Sequence, residues 1–118
     1  MKKLLIILLG VFCLVGCSSS DDSTVSYLEA KEKIINEGAI LVDVRTEEEY
    51  NTEHIDGAVL LTLDTINEES VASVIENKDT PIIVYCQSGN RSGQALDLLK
   101  DLGYSEVYDL GAISNWEE

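Results

Sequence analysis

The chain has 118 residues, with 22 acidic against 8 basic side chains and a net charge of −14. That balance excludes a general nucleic-acid binder, which must neutralise phosphates, and disfavours electrostatic attraction to an anionic membrane surface. The length suffices for one small domain with one core.

The chain opens on Met1-Lys2-Lys3, continues as an apolar run over residues 4–15, and closes that run with Leu14-Val15-Gly16-Cys17. Such a run is too short for a spanning helix, which needs about 20 residues. Residues 1–16 therefore read as a secretory signal peptide. The closing tetrapeptide resembles the bacterial lipobox, which implies cleavage before Cys17 and lipidation of its sulfur. An ordinary signal peptide with a coincidental cysteine is the alternative. Residues 17–24 then form the lipidated cysteine and a polar tether, Ser- and Asp-rich and without apolar content for a core. Two acyl chains at Cys17 would give a stable membrane anchor. The expectation is an exported protein, lipid-anchored to a bacterial membrane outside the cytoplasm. Loss of Lys2 and Lys3 leaves 6 basic against 22 acidic residues, a net charge of −16.

Cys13 leaves with the signal and Cys17 is consumed as a thioether, so Cys86 is the one free thiol of the mature chain. Exported proteins usually place cysteine in disulfides. A lone thiol points instead to reactivity, with a buried inert cysteine as the alternative.

Residues 27–36 have helical spacing, with Ser26 as N-cap and Gly38 as a stop. Residues 39–44 read as a buried strand, and Thr46 caps a short helix that begins with three glutamates. Residues 58–61 form another strand, residues 67–76 a helix, and residues 81–85 an apolar, β-branched strand. Ala95, Leu98, Leu99 and Leu102 mark one helix face, and residues 106–110 the last strand. Strands alternating with helices predict an α/β domain with a parallel sheet covered on both faces. Ligands of such sheets bind beyond the carboxyl ends of the strands, where Cys86 and Asp43 both fall.

Cys86 stands on the turn between a strand and a helix. The first N–H groups of a helix lack partners within it and concentrate positive charge, which lowers a thiol's pKa. Ser88 and Gly89 let the loop turn sharply, so that successive N–H groups converge as an anion-binding nest. Arg91 adds a fixed cation.

Three motifs then carry a family resemblance: Cys86-x-Ser88-Gly89-x-Arg91; Leu41-Val42-Asp43-Val44-Arg45 with Glu48-Glu49-Tyr50 and His54-Ile55-x-Gly57-Ala58; and Leu102-Gly103-Tyr104 with Val107-Tyr108-Asp109-Leu110-Gly111 and Trp116. In this order they resemble rhodanese-type sulfurtransferases over residues 25–118. The resemblance implies a central parallel five-stranded sheet with helices on both faces. It also implies a Cys86 thiolate that takes sulfane sulfur from a small anionic donor such as thiosulfate and passes it from a covalent persulfide to a thiol or cyanide. A protein could serve as acceptor, and no metal or organic cofactor is required. The N–H groups of Gln87, Ser88, Gly89, Asn90, Arg91 and Ser92 would hold the terminal sulfur's charge.

By the same resemblance Glu49 aligns with an acid that pairs with Arg91, so bracing of the loop is preferred over anion contact. Asp43 is expected to accept hydrogen bonds that fix the loop, and Arg45 to tie down the segment around Glu48 and Glu49. His54 falls in a structural motif, and Trp116 reads as core. The negative field opposes an anionic substrate, so attraction must be local, within a Debye length of about 8 Å.

Two other readings compete. One is a dual-specificity phosphatase or arsenate reductase, since cell-cycle phosphatases share this fold, but their loop has five residues between Cys and Arg where this one has four. A sulfur carrier or binding module without turnover is the other. The chain departs from the family pattern at Glu53, at Thr62 and Leu63, and at Ala112. It also stops at Glu118 where most members continue into a final helix, which predicts exposed apolar surface there.

Overall fold

The computed structural model describes residues 23–117. The expected signal peptide, Cys17 and most of the tether lie outside the described residues. Four strands, β1 (Ile40–Asp43), β2 (Val59–Leu60), β3 (Ile82–Cys86) and β4 (Val107–Ala112), form one parallel sheet in the order β2-β1-β3-β4. Helices α1 (Tyr27–Glu37), α2 (Glu47–Thr52), α3 (Glu68–Val74) and α4 (Asn90–Asp101) alternate with them.

The sheet has four strands among the described residues, not five. At the β4 edge the remaining pairing is a single parallel bridge between Thr24 and Asp109, with the Val25 N–H donating to the Asp109 carbonyl at 3.0 Å. Ser26 leaves no room for more: its hydroxyl and the Glu29 carboxylate exchange hydrogen bonds with each other's N–H groups and start α1 at the next residue.

Pleating sorts the strand residues between two cores. Val42, Ile82, Val84, Cys86 and Val107 pack with Val71 and Ile75 from the α3 side and with Ala95 and Leu99 of α4. Leu41, Ile83, Tyr85 and Leu110 pack with Ala30 and Ile34 of α1, Tyr50 of α2 and Ile55. Helices therefore cover both faces, and β3, buried along its whole length, lies between the two cores. Trp116 joins the α1 side, edge-on to Tyr27 with ring centroids 4.9 Å apart. Ile113 and Trp116 are both half-buried, so the end of the described chain is not bare. The most exposed large apolar side chains are Leu28 and Ile35 on α1, at 72% and 71%.

Two boundaries differ from those read in the sequence. Helix α3 stops at Val74, two residues early, because Ile75 turns to extended backbone, buries its side chain, and offers its carbonyl to the Tyr104 hydroxyl at 3.0 Å. Strand β4 runs two residues further than expected, through Gly111. Val84 pairs with Asp109 and Tyr85 with Gly111, so Leu110 is the extra residue of a bulge. Gly111 supplies the φ of 89° that this geometry needs.

Candidate active site

Strand β3 delivers Cys86 to the carboxyl end of the sheet, and residues 87–89 turn the chain into α4. The turn depends on Gly89, which sits ahead of the helix at φ 100°, a conformation costly for any residue with a Cβ. Its N–H points at Cys86 Sγ from 2.9 Å. Cys86 itself is 0% exposed.

Burial pushes the Cys86 thiol up. Hydrogen bonds from the Ser92 hydroxyl and from the N–H groups of Ser92, Gly89 and Ser88 together outweigh it, and the thiol lies below its ordinary value. The Ser92 hydroxyl is also 3.1 Å from the Gly89 carbonyl. Its single proton serves one acceptor at a time, and a thiolate is the stronger one. Of the loop's backbone donors, that of Gly89 lies within hydrogen-bonding distance of the sulfur, and those of Ser88 and Ser92 add to the lowering of the thiol. The Asn90 side chain is turned along the helix, accepting from Gln94 at 2.8 Å.

Arg91, in the first turn of α4, faces Glu49 of α2 rather than the loop interior. The two form a bidentate pair at 2.8 and 3.1 Å. Glu49 also accepts from the N–H and hydroxyl of Thr46, closing the N-terminal box of α2. The Arg91 hydrogen bonds first, and the Thr46 N–H next, hold the Glu49 carboxyl at about 2.

Asp43 and Arg45 form a second pair, fully covered, at 0% and 3% exposure. Arg45 Nε lies 3.0 and 3.1 Å from the two Asp43 oxygens and Nη2 lies 2.8 Å from Oδ2. The Arg45 N–H and the Tyr85 hydroxyl complete the carboxylate's partners at 2.9 and 2.8 Å, and Tyr85 in turn accepts the Ile55 N–H at 3.1 Å. Among the described residues Arg45 makes no hydrogen bond to the Glu48 or Glu49 side chain, and it meets the segment around them at its end. With one edge of the guanidinium captured by Asp43 two residues earlier, its remaining N–H groups reach the Glu53 carbonyl at 2.6 Å and Gln87 Oε1 at 3.0 Å. The second contact ties the residue after Cys86 to the end of β1. Asp43 therefore acts on the loop through Arg45.

His54 is engaged elsewhere: Nδ1 lies 2.8 Å from the Tyr50 carbonyl and the ring stacks on Tyr50 at 3.7 Å. Beside the loop is an open cleft of about 320 Å³ lined by Arg45, Glu48, Glu49, Thr52, Glu53 and Gln87. The sequence reading missed the Tyr85 hydroxyl and the Gln87 side chain as parts of this assembly, and it counted Ser92 for its N–H alone.

A strand-to-helix loop that wraps N–H groups around a buried, acidified thiol can stabilise a negative charge on that sulfur or on an atom bonded to it. Comparison with known proteins agrees with the architecture. The family described as "Rhodanese-like domain" matches residues 26–118. The thiosulfate sulfurtransferase PspE of Escherichia coli is 35% identical over 74 residues, 63% of this chain and 70% of that protein. The thiosulfate sulfurtransferase GlpE of Coxiella burnetii is 33% identical over 94 residues, 79% of this chain and 85% of that protein. Among solved structures, the human single-domain sulfurtransferase TSTD1 superposes with a TM-score of 0.68 at 25% identity, covering 81% of this chain and 97% of that one. A rhodanese with anions from E. coli gives a TM-score of 0.62 at 34% identity, covering 65% and 89%.

Proposed function

The chain belongs to the rhodanese-like family, and on that premise we propose that it is a sulfurtransferase working through a persulfide on Cys86. The observation that carries this reading is the Gly89 N–H, 2.9 Å from Cys86 Sγ at the start of α4.

In the first half-reaction the Cys86 thiolate attacks the outer sulfur of thiosulfate. The S–S bond of the donor breaks, sulfite leaves with the bonding pair, and Cys86 carries a terminal sulfur with one negative charge. The donors that lower the thiol's pKa, Ser88, Gly89 and Ser92, are placed to receive that charge as it moves one atom outward. In the second half-reaction an acceptor thiolate or cyanide attacks the terminal sulfur and the Cys86 thiolate leaves, which gives ping-pong kinetics. Because Cys86 has no exposed surface, the groups that cover its sulfur must move aside for either partner. Arg91 braces the loop through Glu49, and Arg45 braces it through Gln87.

The same reading places the domain outside the cytoplasm, held by a lipid on Cys17. Its support is the sequence of residues 1–24 alone.

Intact-mass measurement of the protein before and after thiosulfate, beside Cys86→Ser, tests the chemistry. The expected result is a gain of one sulfur atom on the native protein only, removed by cyanide with formation of thiocyanate. The complete cover over Cys86 favours one second reading, a carrier loaded by protein partners. A native protein that stays unloaded in excess thiosulfate, with its thiol still open to alkylation, would favour the carrier.

A further inference from the structure

Ser92 occupies a place suited to an apolar side chain. It shares the buried stripe of α4 with Ala95 and Leu99, the stripe that faces the sheet, and it has no exposed surface. A hydroxyl in such a place must be hydrogen-bonded to be tolerated. This one has a single proton and two acceptors, the Gly89 carbonyl at 3.1 Å and the Cys86 sulfur. Gly89 brackets the two side chains, with its N–H 2.9 Å from Cys86 Sγ and its carbonyl on the Ser92 hydroxyl. A Cβ built on Gly89 would stand 3.9 Å from Gly111 Cα and 4.0 Å from the Ala112 nitrogen, so β4 backs this residue and holds it in place. The adjustable part is the Ser92 proton, which changes acceptor by rotation about the Cβ–Oγ bond without movement of the backbone.

Resting on the sulfurtransferase reading, we propose that the Ser92 hydroxyl is a catalytic group of the second half-reaction, a donor that turns from the Gly89 carbonyl to Cys86 Sγ as the sulfur–sulfur bond breaks. In the loaded protein the charge lies on the terminal sulfur, and Sγ, bonded to carbon and to sulfur, is a poor acceptor. The hydroxyl then donates to the Gly89 carbonyl. An acceptor thiolate or cyanide forms a bond to the terminal sulfur, the Sγ–S bond breaks, and its electron pair returns to Sγ. The hydroxyl rotates onto that growing charge and stabilises the leaving thiolate. No proton is transferred, and no oxidant or reductant is needed. In the first half-reaction the same hydrogen bond works in the opposite sense, because it holds charge on the sulfur that must give it up. A thiol of lower pKa leaves faster and, as a thiolate, attacks more slowly. A serine that served only the loop's structure would affect both halves alike.

Single-turnover rates of the two halves, measured on the full-length protein, test this. Loading by thiosulfate is followed by intact mass and expressed per thiolate, with the thiolate fraction taken from each protein's alkylation profile. Discharge by cyanide is followed as thiocyanate. Alanine suits the buried stripe, so Ser92→Ala is expected to fold. It should discharge about tenfold more slowly than the native protein, while its loading per thiolate holds or rises up to about threefold. Ser92→Thr, which keeps a hydroxyl, should regain most of the discharge rate. Equal slowing of both halves in Ser92→Ala overturns the proposal, and so does an unchanged discharge rate. A folded Ser92→Thr protein as slow as Ser92→Ala overturns the assignment to the hydroxyl. If the native protein takes no sulfur from thiosulfate, both proteins are loaded with a thiol persulfide and the discharge comparison stands. A native protein that loads from neither sinks the sulfurtransferase reading, and this inference with it.

Discussion

Arg91 and Glu49 meet across the gap between α4 and α2 in a two-point pair, with both guanidinium ends on both carboxylate oxygens. The pair joins the end of the Cys86 loop to the helix that follows β1, and it turns the loop's one arginine toward α2. Bracing and anion binding compete for this one guanidinium, which commits two of its five N–H groups to Glu49.

Glu49→Gln separates those uses. The variant should lose about 1 kcal/mol of stability, the modest worth of a pair about one-third exposed, and melt a few degrees lower. Its KM for thiosulfate should fall, because Arg91 is released toward the cleft. Thermal melts and steady-state kinetics on one preparation check both; a raised KM would show that the brace matters more than the freed charge.

Acid should weaken the fold through the same carboxylate. Glu49 is held at about 2 against an ordinary 4.5. A depressed carboxylate contributes fully above its unfolded value and loses that contribution as pH falls through the folded one. Stability measured in urea should therefore decline from about pH 4.5 toward pH 2, and Glu49→Gln should show a shallower decline.

Ser92→Ala removes the hydroxyl that reaches the sulfur while leaving the N–H in place. Alkylation of Cys86 should shift to higher pH and slow several-fold at neutrality, since a hydrogen bond to a charged group is worth about 1.5–3 kcal/mol. A pH profile of iodoacetamide modification reads the shift directly. Superposable profiles would assign the thiol's acidity to the backbone alone.

Tyr85→Phe strands the buried Ile55 N–H and takes one partner from Asp43. A loss of about 1–3 kcal/mol is expected, with the thiol's alkylation profile little changed, because the hydroxyl stabilises the frame and not the sulfur. Urea unfolding and the same alkylation assay distinguish the two effects.

The alternation of elements, the caps at Ser26 and Thr46, and the strand-to-helix position of Cys86 were all legible, because each rests on local spacing or a local hydrogen bond. What escaped was set by neighbours far along the chain. Tyr85 reads as one more apolar strand residue, and only its position beside Asp43, 42 residues earlier, gives its hydroxyl a task. Arg45 reads as a tie to the segment around Glu48 and Glu49, and its spacing does not reveal that Asp43 holds it inward against Gln87 and the Glu53 carbonyl. The bulge at Leu110 was hidden because Gly111 looks like a strand breaker, while in the sheet it allows β4 to continue. The fifth strand was carried by resemblance, and residues 24–26 yield to helix capping after one bridge.

The cover over Cys86 also bears on how such a thiol ages. Peroxides and disulfides attack thiolates in proportion to their charge and exposure, and an acidified cysteine is the first to climb toward sulfinic and sulfonic acids. A sulfur with 0% exposure meets those oxidants only when its cover is displaced. Acidity therefore need not shorten the thiol's working life, and one unpaired cysteine can persist where an exposed one would be lost to oxidation.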